Sequence, residues 1–169
     1  HIDTPAHWSM HLVKLREIQK ETGGFTELVP LSFVYKDSPL YIENRSRVRR
    51  GPTLDEVKRM HAIARIMLNG WINNIQVSWT KLGPQVAQEM LNLGVNDLGG
   101  TLMNESISRS AGSEFGQEIT ASEMVKIIRH AGKIPMQRNT VYGVKKNFEN
   151  CEPKDVPPLV PRNGKSPLE

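Results

Sequence analysis

The sequence predicts an α/β protein, the back portion of a larger barrel of parallel βα units. Three observations carry that prediction. Amphipathic helical stretches recur along the 169 residues, each stopped by glycine and followed by a short apolar segment. Strands alternating with helices of ten or more residues argue for parallel βα units. Three or four such units do not close a barrel and would leave open strand edges, which folded proteins avoid.

The first helix is expected to begin at Thr4, with Pro5 at the first helical position, where a missing N–H is no loss. Trp8, Leu12, Leu15 and Ile18 mark one face at helical spacing, Gly23 and Gly24 stop it, and Phe25 to Leu31 follows as an extended apolar segment. A capping box, Thr53 with Glu56, opens the second helix, whose stripe is Leu54, Val57, Met60, Ala64 and Met67. Gly70 ends it, and Trp71 to Trp79 contains the next strand. Pro84 starts a third helix with Val86, Met90 and Leu93 inward. Gly94 closes it ahead of a strand from Val95 to Leu98. Thr120 and Glu123 form another capping box, followed by Met124, Ile127, Ile128 and Ala131 on one face and by Gly132. Ile134 to Tyr142 reads as extended. From Asn147 the chain is polar and holds five prolines. The division is therefore 1–146 as the barrel portion and 147–169 as a disordered tail.

Composition narrows the function classes. No apolar run approaches the roughly 18 residues of a membrane span, and no signal peptide is visible, so no membrane partner and a cytoplasmic location are expected. Organellar targeting stays open, because the chain starts at His1 and not at Met. Cys151 is the single cysteine, which excludes an intrachain disulfide and any Cys-only metal site. Net charge is +4, with Arg45, Arg47, Arg49 and Arg50 inside six residues. No aromatic residue interleaves that run, so a solvated loop is expected there and not a nucleic-acid surface.

The candidate chemistry sits at strand ends. Asn96-Asp97-Leu98-Gly99-Gly100-Thr101-Leu102-Met103-Asn104-Glu105-Ser106 carries a short apolar strand into two glycines and then a polar cluster. Glycines there let backbone approach a ligand, and carboxyl ends of parallel strands share one functional face. That rule converges Glu27, Gln76, Ser78, Thr101, Asn104, Glu105, Gln137 and Arg138 on one mouth. Glu27 lies in an apolar strand, where a carboxylate needs a ligand or an arginine partner. Gln76 and Ser78 alternate with Ile75 and Val77 and so share a face. Asn104 and Glu105 suit a polar heterocycle or a ribityl chain, or else cap the turn near Ser106. Arg109 and Arg138 can fork onto a carboxylate or phosphate. His7 and His11, four apart on the first helix, have metal-compatible spacing but no third ligand nearby in sequence.

These phrases resemble a known family. Glu21-Thr22-Gly23-Gly24-Phe25-Thr26-Glu27, Asn74-Ile75-Gln76-Val77-Ser78-Trp79 with Lys81-Leu82-Gly83, and Asn96 to Met103 are similar to FO synthase. Within it the likeness is to the CofH-type half, the 5-amino-6-(D-ribitylamino)uracil–L-tyrosine 4-hydroxyphenyl transferase. His1 to Trp8 and Ile107-Ser108-Arg109 fit the same pattern, and the likeness covers roughly residues 1 to 142. It implies the C-terminal portion of a radical S-adenosylmethionine TIM-type barrel. Phe25 to Phe33, Ile75 to Trp79 and Asp97 to Met103 would be its last three parallel strands. It also implies S-adenosylmethionine and a 4Fe–4S cluster as cofactors, with tyrosine and 5-amino-6-(D-ribitylamino)uracil as substrates. The hydroxybenzyl fragment of tyrosine is joined to the uracil, and a CofG-type partner activity then closes the deazaflavin ring. Glu27, Gln76, Ser78, Thr101, Asn104, Glu105 and Arg138 would bind substrate or S-adenosylmethionine.

The family's CxxxCxxC cluster loop is absent from this chain, and three thiolates hold such a cluster. A C-terminal fragment lacking the N-terminal part of the barrel, inactive alone, is therefore expected. The alternatives are a related radical enzyme of the futalosine route to menaquinone and a non-catalytic basic binding module.

Overall fold

The capping signals place the helices. In the computed structural model, which describes residues 1–102, 105–116 and 118–156, α1 spans Pro5–Thr22 and closes where Gly23 donates its N–H to the Gln19 carbonyl at 2.8 Å. A short α2, Pro39–Glu43, precedes α3, Leu54–Leu68. The α3 capping box is formed: Glu56 N–H donates to Thr53 Oγ1 at 3.2 Å, and Thr53 N–H donates to Glu56 Oε2 at 2.7 Å. Helix α4, Trp79–Leu82, follows directly on the central extended segment, and α5, Pro84–Met90, begins two residues later. The small α6, Ile107–Ser110, and α7, Ala121–His130, complete the set, with the Thr120–Glu123 box closed at the start of α7.

The buried face of α3 is Val57, His61, Ala64 and Leu68. Leu54, expected on the stripe, is 45% exposed, because the first turn runs past the layer it covers. A histidine takes a place on that face instead. His61 is 1% exposed and shares a hydrogen bond of 2.8 Å between Nδ1 and the Val57 carbonyl.

The strands differ from expectation. The three expected parallel segments appear as isolated parallel bridges, Leu28 with Ile75 and Gln76 with Asp97, not as continuous strands. Four backbone bonds hold this order. Leu28 N–H donates to Asn74 O and Gln76 N–H to Leu28 O, both at 2.9 Å. Val77 N–H donates to Asp97 O at 3.0 Å and Asn96 N–H to Ile75 O at 3.1 Å. The ladder stops early for identifiable reasons. Pro30 has no N–H to continue it. Ser78 caps α4, and Gly99 turns the third segment away at φ 76°. At the other end asparagine side chains replace ladder bonds: Asn96 Oδ1 accepts from Ile75 N at 2.9 Å, and Asn74 Nδ2 donates to Thr26 O at 2.8 Å.

Among the described residues the one regular sheet is an antiparallel hairpin, β1 Met136–Arg138 with β2 Val144–Asn147. It occupies part of the Ile134 to Tyr142 stretch read as extended. The first ten residues of the segment expected as a disordered tail are fastened to α7. Phe148 is buried, Arg129 donates to the carbonyls of Phe148 and Cys151 at 2.7 and 2.9 Å and pairs with Glu152, and Asp155 accepts from Ser122 N at 2.8 Å. Residues 157–169 lie outside the described residues. No helix among the described residues is long and apolar enough to cross a membrane.

Alternation sorts the two faces of the bridged layer. Ile75, Val77 and Leu98 join Leu12, Ala64, Leu68, Ala87 and Met90 in the core under the helices, and Leu28 packs against it. Arg65 on α3 ties the layer to the helices, donating to Gly94 O at 2.6 Å, Asn73 O at 2.8 Å and Asn96 Oδ1 at 2.8 Å. Gly94 has φ 98°, and a Cβ there would stand 2.6 Å from Arg65 Cβ. Gly94→Ala is therefore expected to lose about 1–3 kcal/mol of stability, read as a lower urea midpoint at unchanged slope.

Candidate functional site

The face opposite the core is polar. Pairing of Leu28 with Ile75 and of Gln76 with Asp97, with alternation along each segment, sets Glu27, Gln76 and Asp97 on this face. The hairpin reaches across it. Arg138, at the end of β1, donates from Nε to Asp97 Oδ2, and its Nη2 lies 3.8 Å from Glu27 Oε2. Its Nη1 donates to Asn139 O at 3.1 Å, and its guanidinium lies 4.3 Å from the centre of the Tyr142 ring.

The turn explains how Tyr142 gets there. Asn139 Oδ1 accepts from the N–H groups of Val141 and Gly143 at 3.0 and 2.8 Å, which folds the loop back on itself. Tyr142 takes the left-handed conformation at φ 63°, and its hydroxyl donates to Glu27 Oε2 at 2.5 Å. Burial, then the hydrogen bond to the Glu27 carboxylate, pushes the Tyr142 phenol up to about 12. Arg138 is held above its ordinary value by its bond to Asp97.

A broad cleft of about 1570 Å³ opens beside this cluster, with Gln76, Ser78, Thr101 and Arg138 among its lining residues. With Gln137, which also lines it, five of the residues expected on one mouth thus share one cavity, and Glu27 joins them through Arg138 and Tyr142. Ser78 Oγ and Thr80 Oγ1 share a hydrogen bond at 2.9 Å. Glu105 has a different place: its carboxylate accepts from the N–H groups of Ile107 at 3.0 Å and Ser108 at 3.1 Å, capping α6. Asn104 lies outside the described residues. Gln137, exposed on β1, lines the same cleft. His7 belongs to the start of α1, where its Nδ1 accepts from Thr4 N at 3.2 Å.

The paired glycines divide their work. A Cβ on Gly99 would stand 2.9 Å from Gln76 Nε2, so Gly99 makes room for the Gln76 amide, while nothing lies within 4 Å of a Cβ at Gly100. Trp79 Nε1 donates to Gly100 O at 3.1 Å and holds the loop against α4. Asp97 Oδ1 accepts from Gly99 N at 2.6 Å, which orients the carboxylate that meets Arg138.

Sequence reasoning did not single out Asp97 or Tyr142. Asp97 had a signal, a carboxylate inside the apolar run Val95 to Leu98, and its side chain is 9% exposed. Tyr142 had none, because its approach to Glu27 depends on how a loop 115 residues away folds back. The arginine run is a loop with Arg45, Arg47 and Arg50 exposed, as expected, and Arg45 lies over Tyr41, Arg49 over Trp8 and Arg50 over Tyr35, at 5.7–6.0 Å from the ring centres. Aromatic residues outside the run, one of them only four positions before Arg45, supply what the run itself lacks.

A helix-backed parallel layer with a polar outer face beside an open cleft is the arrangement that one portion of an α/β barrel presents. The chain belongs to the CofH/MqnC family: the sequence model described as the CofH/MqnC C-terminal region matches residues 22–151. It is 52% identical over 145 residues to the FO synthase of Mycobacterium leprae, covering 86% of this chain and 17% of that protein. It is 50% identical over 142 residues to the 5-amino-6-(D-ribitylamino)uracil–L-tyrosine 4-hydroxyphenyl transferase of Methanopyrus kandleri, covering 84% of this chain and 38% of that one. The same-named protein of Methanocaldococcus jannaschii is 46% identical over 144 residues, covering 85% and 40%. The chain therefore spans well under half the length of these relatives. The family makes it part of a radical S-adenosylmethionine barrel.

Three outcomes follow from the Arg138 cluster. Glu27→Gln lowers the Tyr142 phenol toward 10, seen as one of the three tyrosines shifting in a phenolate absorbance titration. Since the folded value lies above the unfolded one, the stability linked to this phenol is complete below about pH 10 and lost as pH rises through about 12. Arg138→Met leaves Asp97 without its cation and lowers stability by about 1–3 kcal/mol, measured by urea unfolding.

Proposed function

We propose that this chain forms the substrate-side wall of an enzyme that joins the hydroxybenzyl group of tyrosine to 5-amino-6-(D-ribitylamino)uracil in deazaflavin biosynthesis. The observation that carries the reading is the polar row Glu27, Gln76 and Asp97, closed by Arg138 over an open cleft, in a chain about half identical to proteins named for that transfer. The bridged segments are the last three strands of the barrel, and Glu27, Gln76, Ser78, Thr101, Asn104 and Arg138 position substrate or S-adenosylmethionine. Glu105 serves the site indirectly, through α6. Cytoplasmic location and a CofG-type companion activity belong to the same reading.

The donor set of this chain does not fit a 4Fe–4S cluster. Cys151 is the only cysteine, it is exposed, and its Sγ donates to Asn147 O at 3.4 Å. Among the described residues no three His, Cys, Asp or Glu side chains gather as a metal site. No step is assigned to the cluster here. What these residues do is bind and orient, through hydrogen bonds and charge held by a fixed scaffold.

The matched family description also covers MqnC-type proteins, which keeps the futalosine-route enzyme as the second reading. A chimera separates them. Residues 22–151 would replace the corresponding segment of the Methanopyrus kandleri transferase, and both substrate sets would be assayed. Adduct formation from tyrosine and the ribitylaminouracil is expected. Adduct-free protein that turns over the futalosine-route substrate overturns the proposal. In the active chimera, Glu27→Gln is expected to lower turnover roughly ten- to hundredfold at an unchanged unfolding midpoint.

A further inference from the structure

The turn between β1 and β2 sends one side chain away from the hairpin and onto the bridged layer. Its backbone bonds stay local: Asn139 N–H donates to Gly143 O at 2.9 Å and Tyr142 N–H to Asn139 O at 3.2 Å, while the Asn139 side chain accepts from Val141 and Gly143. Tyr142 alone among the described non-glycine residues has a positive φ, 63°. That conformation is uncommon for a bulky residue and is kept where surrounding contacts hold it. Here the contacts are those of a phenol in a binding site. The hydroxyl donates to Glu27 Oε2 at 2.5 Å, and the ring centre lies 4.3 Å from the Arg138 guanidinium.

These two groups recognise a phenol and not merely a ring. A carboxylate accepts a short, strong bond from a phenolic O–H, and a guanidinium attracts the ring face. The Tyr142 phenol, pushed up to about 12 by burial and by that carboxylate, keeps the proton it donates. Both groups are placed by contacts other than Tyr142. Arg138 is anchored on Asp97, and Glu27 directly precedes the Leu28–Ile75 pairing. What a departing Tyr142 gives up is its bond to Glu27 and its contact with Arg138, and an entering phenol restores both.

Tyr142 and Arg138 line the broad cleft and Glu27 does not, so the Tyr142 ring stands between that carboxylate and the cleft. The tip of the turn is open to solvent, with Thr140 and Val141 exposed. Gln76 lines the same cleft from the neighbouring segment, which pairs with the Glu27 segment through Leu28 and Ile75. Neighbouring strands lie about 4.8 Å apart. A phenol on Glu27 and a heterocycle beside Gln76 are then side by side on one face, as a reaction that bonds them to each other requires.

We infer that Glu27 and Arg138 form the subsite for the 4-hydroxyphenyl ring of the substrate, and that Tyr142 is an internal stand-in that occupies it until substrate enters. This assignment rests on the proposed function for the identity of that substrate, L-tyrosine, and adds to it the subsite and its built-in competitor. The apparent affinity for a phenol is reduced by the fraction of time the subsite is free, so removing the occupant raises it.

The test uses the chimera that carries residues 22–151 within the Methanopyrus kandleri transferase. Tyr142→Gly removes the ring and suits the positive φ, so an unchanged or higher unfolding midpoint is expected. Binding of p-cresol and of toluene is measured without turnover, and KM is measured for each substrate. In Tyr142→Gly, p-cresol is expected to bind roughly tenfold tighter than in the parent chimera and the KM for L-tyrosine to fall roughly fivefold, with the KM for the ribitylaminouracil unchanged within about twofold. Adding Glu27→Gln removes the preference for p-cresol over toluene. Tyr142→Phe, which keeps the ring and loses the hydroxyl, falls between parent and Tyr142→Gly. A tyrosine with a purely structural role gives the opposite sign, weaker p-cresol binding and a higher KM for both substrates. Unchanged or weaker p-cresol binding, or an L-tyrosine KM that stays or rises, overturns the stand-in and leaves the proposed function standing. A chimera that gains p-cresol affinity as expected and forms no adduct overturns the proposed function alone, and one that does neither overturns both.

Discussion

Parallel register between three short segments is the constraint on which the rest of this structure depends. Two pairings, Leu28 with Ile75 and Gln76 with Asp97, decide which side chains face the helices and which face the cleft. A slip of one residue in any segment would exchange its faces. Ile75 and Val77 would leave the core and Gln76 would enter it. The register is held by few backbone bonds, so side chains reinforce it. Arg65 braces two segments from below, and Asn74 and Asn96 close the ends where the ladder is missing.

The polar face is organised by one cation between two acids. Arg138 brings the hairpin over the layer, and its partners Asp97 and Glu27 come from the outer two segments. Side chains of this kind are costly to bury singly and acceptable when paired and hydrogen-bonded. Here the pairing also orients Tyr142, so a loop with a strained residue is held in place by electrostatics. The clamp leaves Gln76, Ser78 and the glycine loop facing open space. It also commits the charge of Arg138 to Asp97.

The four longer helices were legible because their signals are local. Thr53 with Glu56 and Thr120 with Glu123 each complete a cap within four residues, and Pro5 and Gly23 bracket α1. The extended segments were legible as apolar runs, but their extent was not, because Pro30 and Gly99 end the ladder only when a neighbouring chain is considered. The site was partly legible. Gln76, Ser78 and Thr101 share a cleft because alternation and strand polarity are sequence properties. Glu105 was read toward the mouth and instead caps α6, and Asp97 was passed over as part of an apolar run.

By itself the sequence determined the order of the four longer helices and of the extended segments between them, the family, and the absence of a cysteine set for a cluster; the short α2, α4 and α6 carried no such signal. These depend on spacing and residue type within short windows. Only the tertiary structure decided that Glu27, Asp97, Arg138 and Tyr142 form one cluster. Its bonds to Asp97 and Glu27 join residues 41 to 115 positions apart, and no local periodicity encodes where a distant chain segment comes to rest.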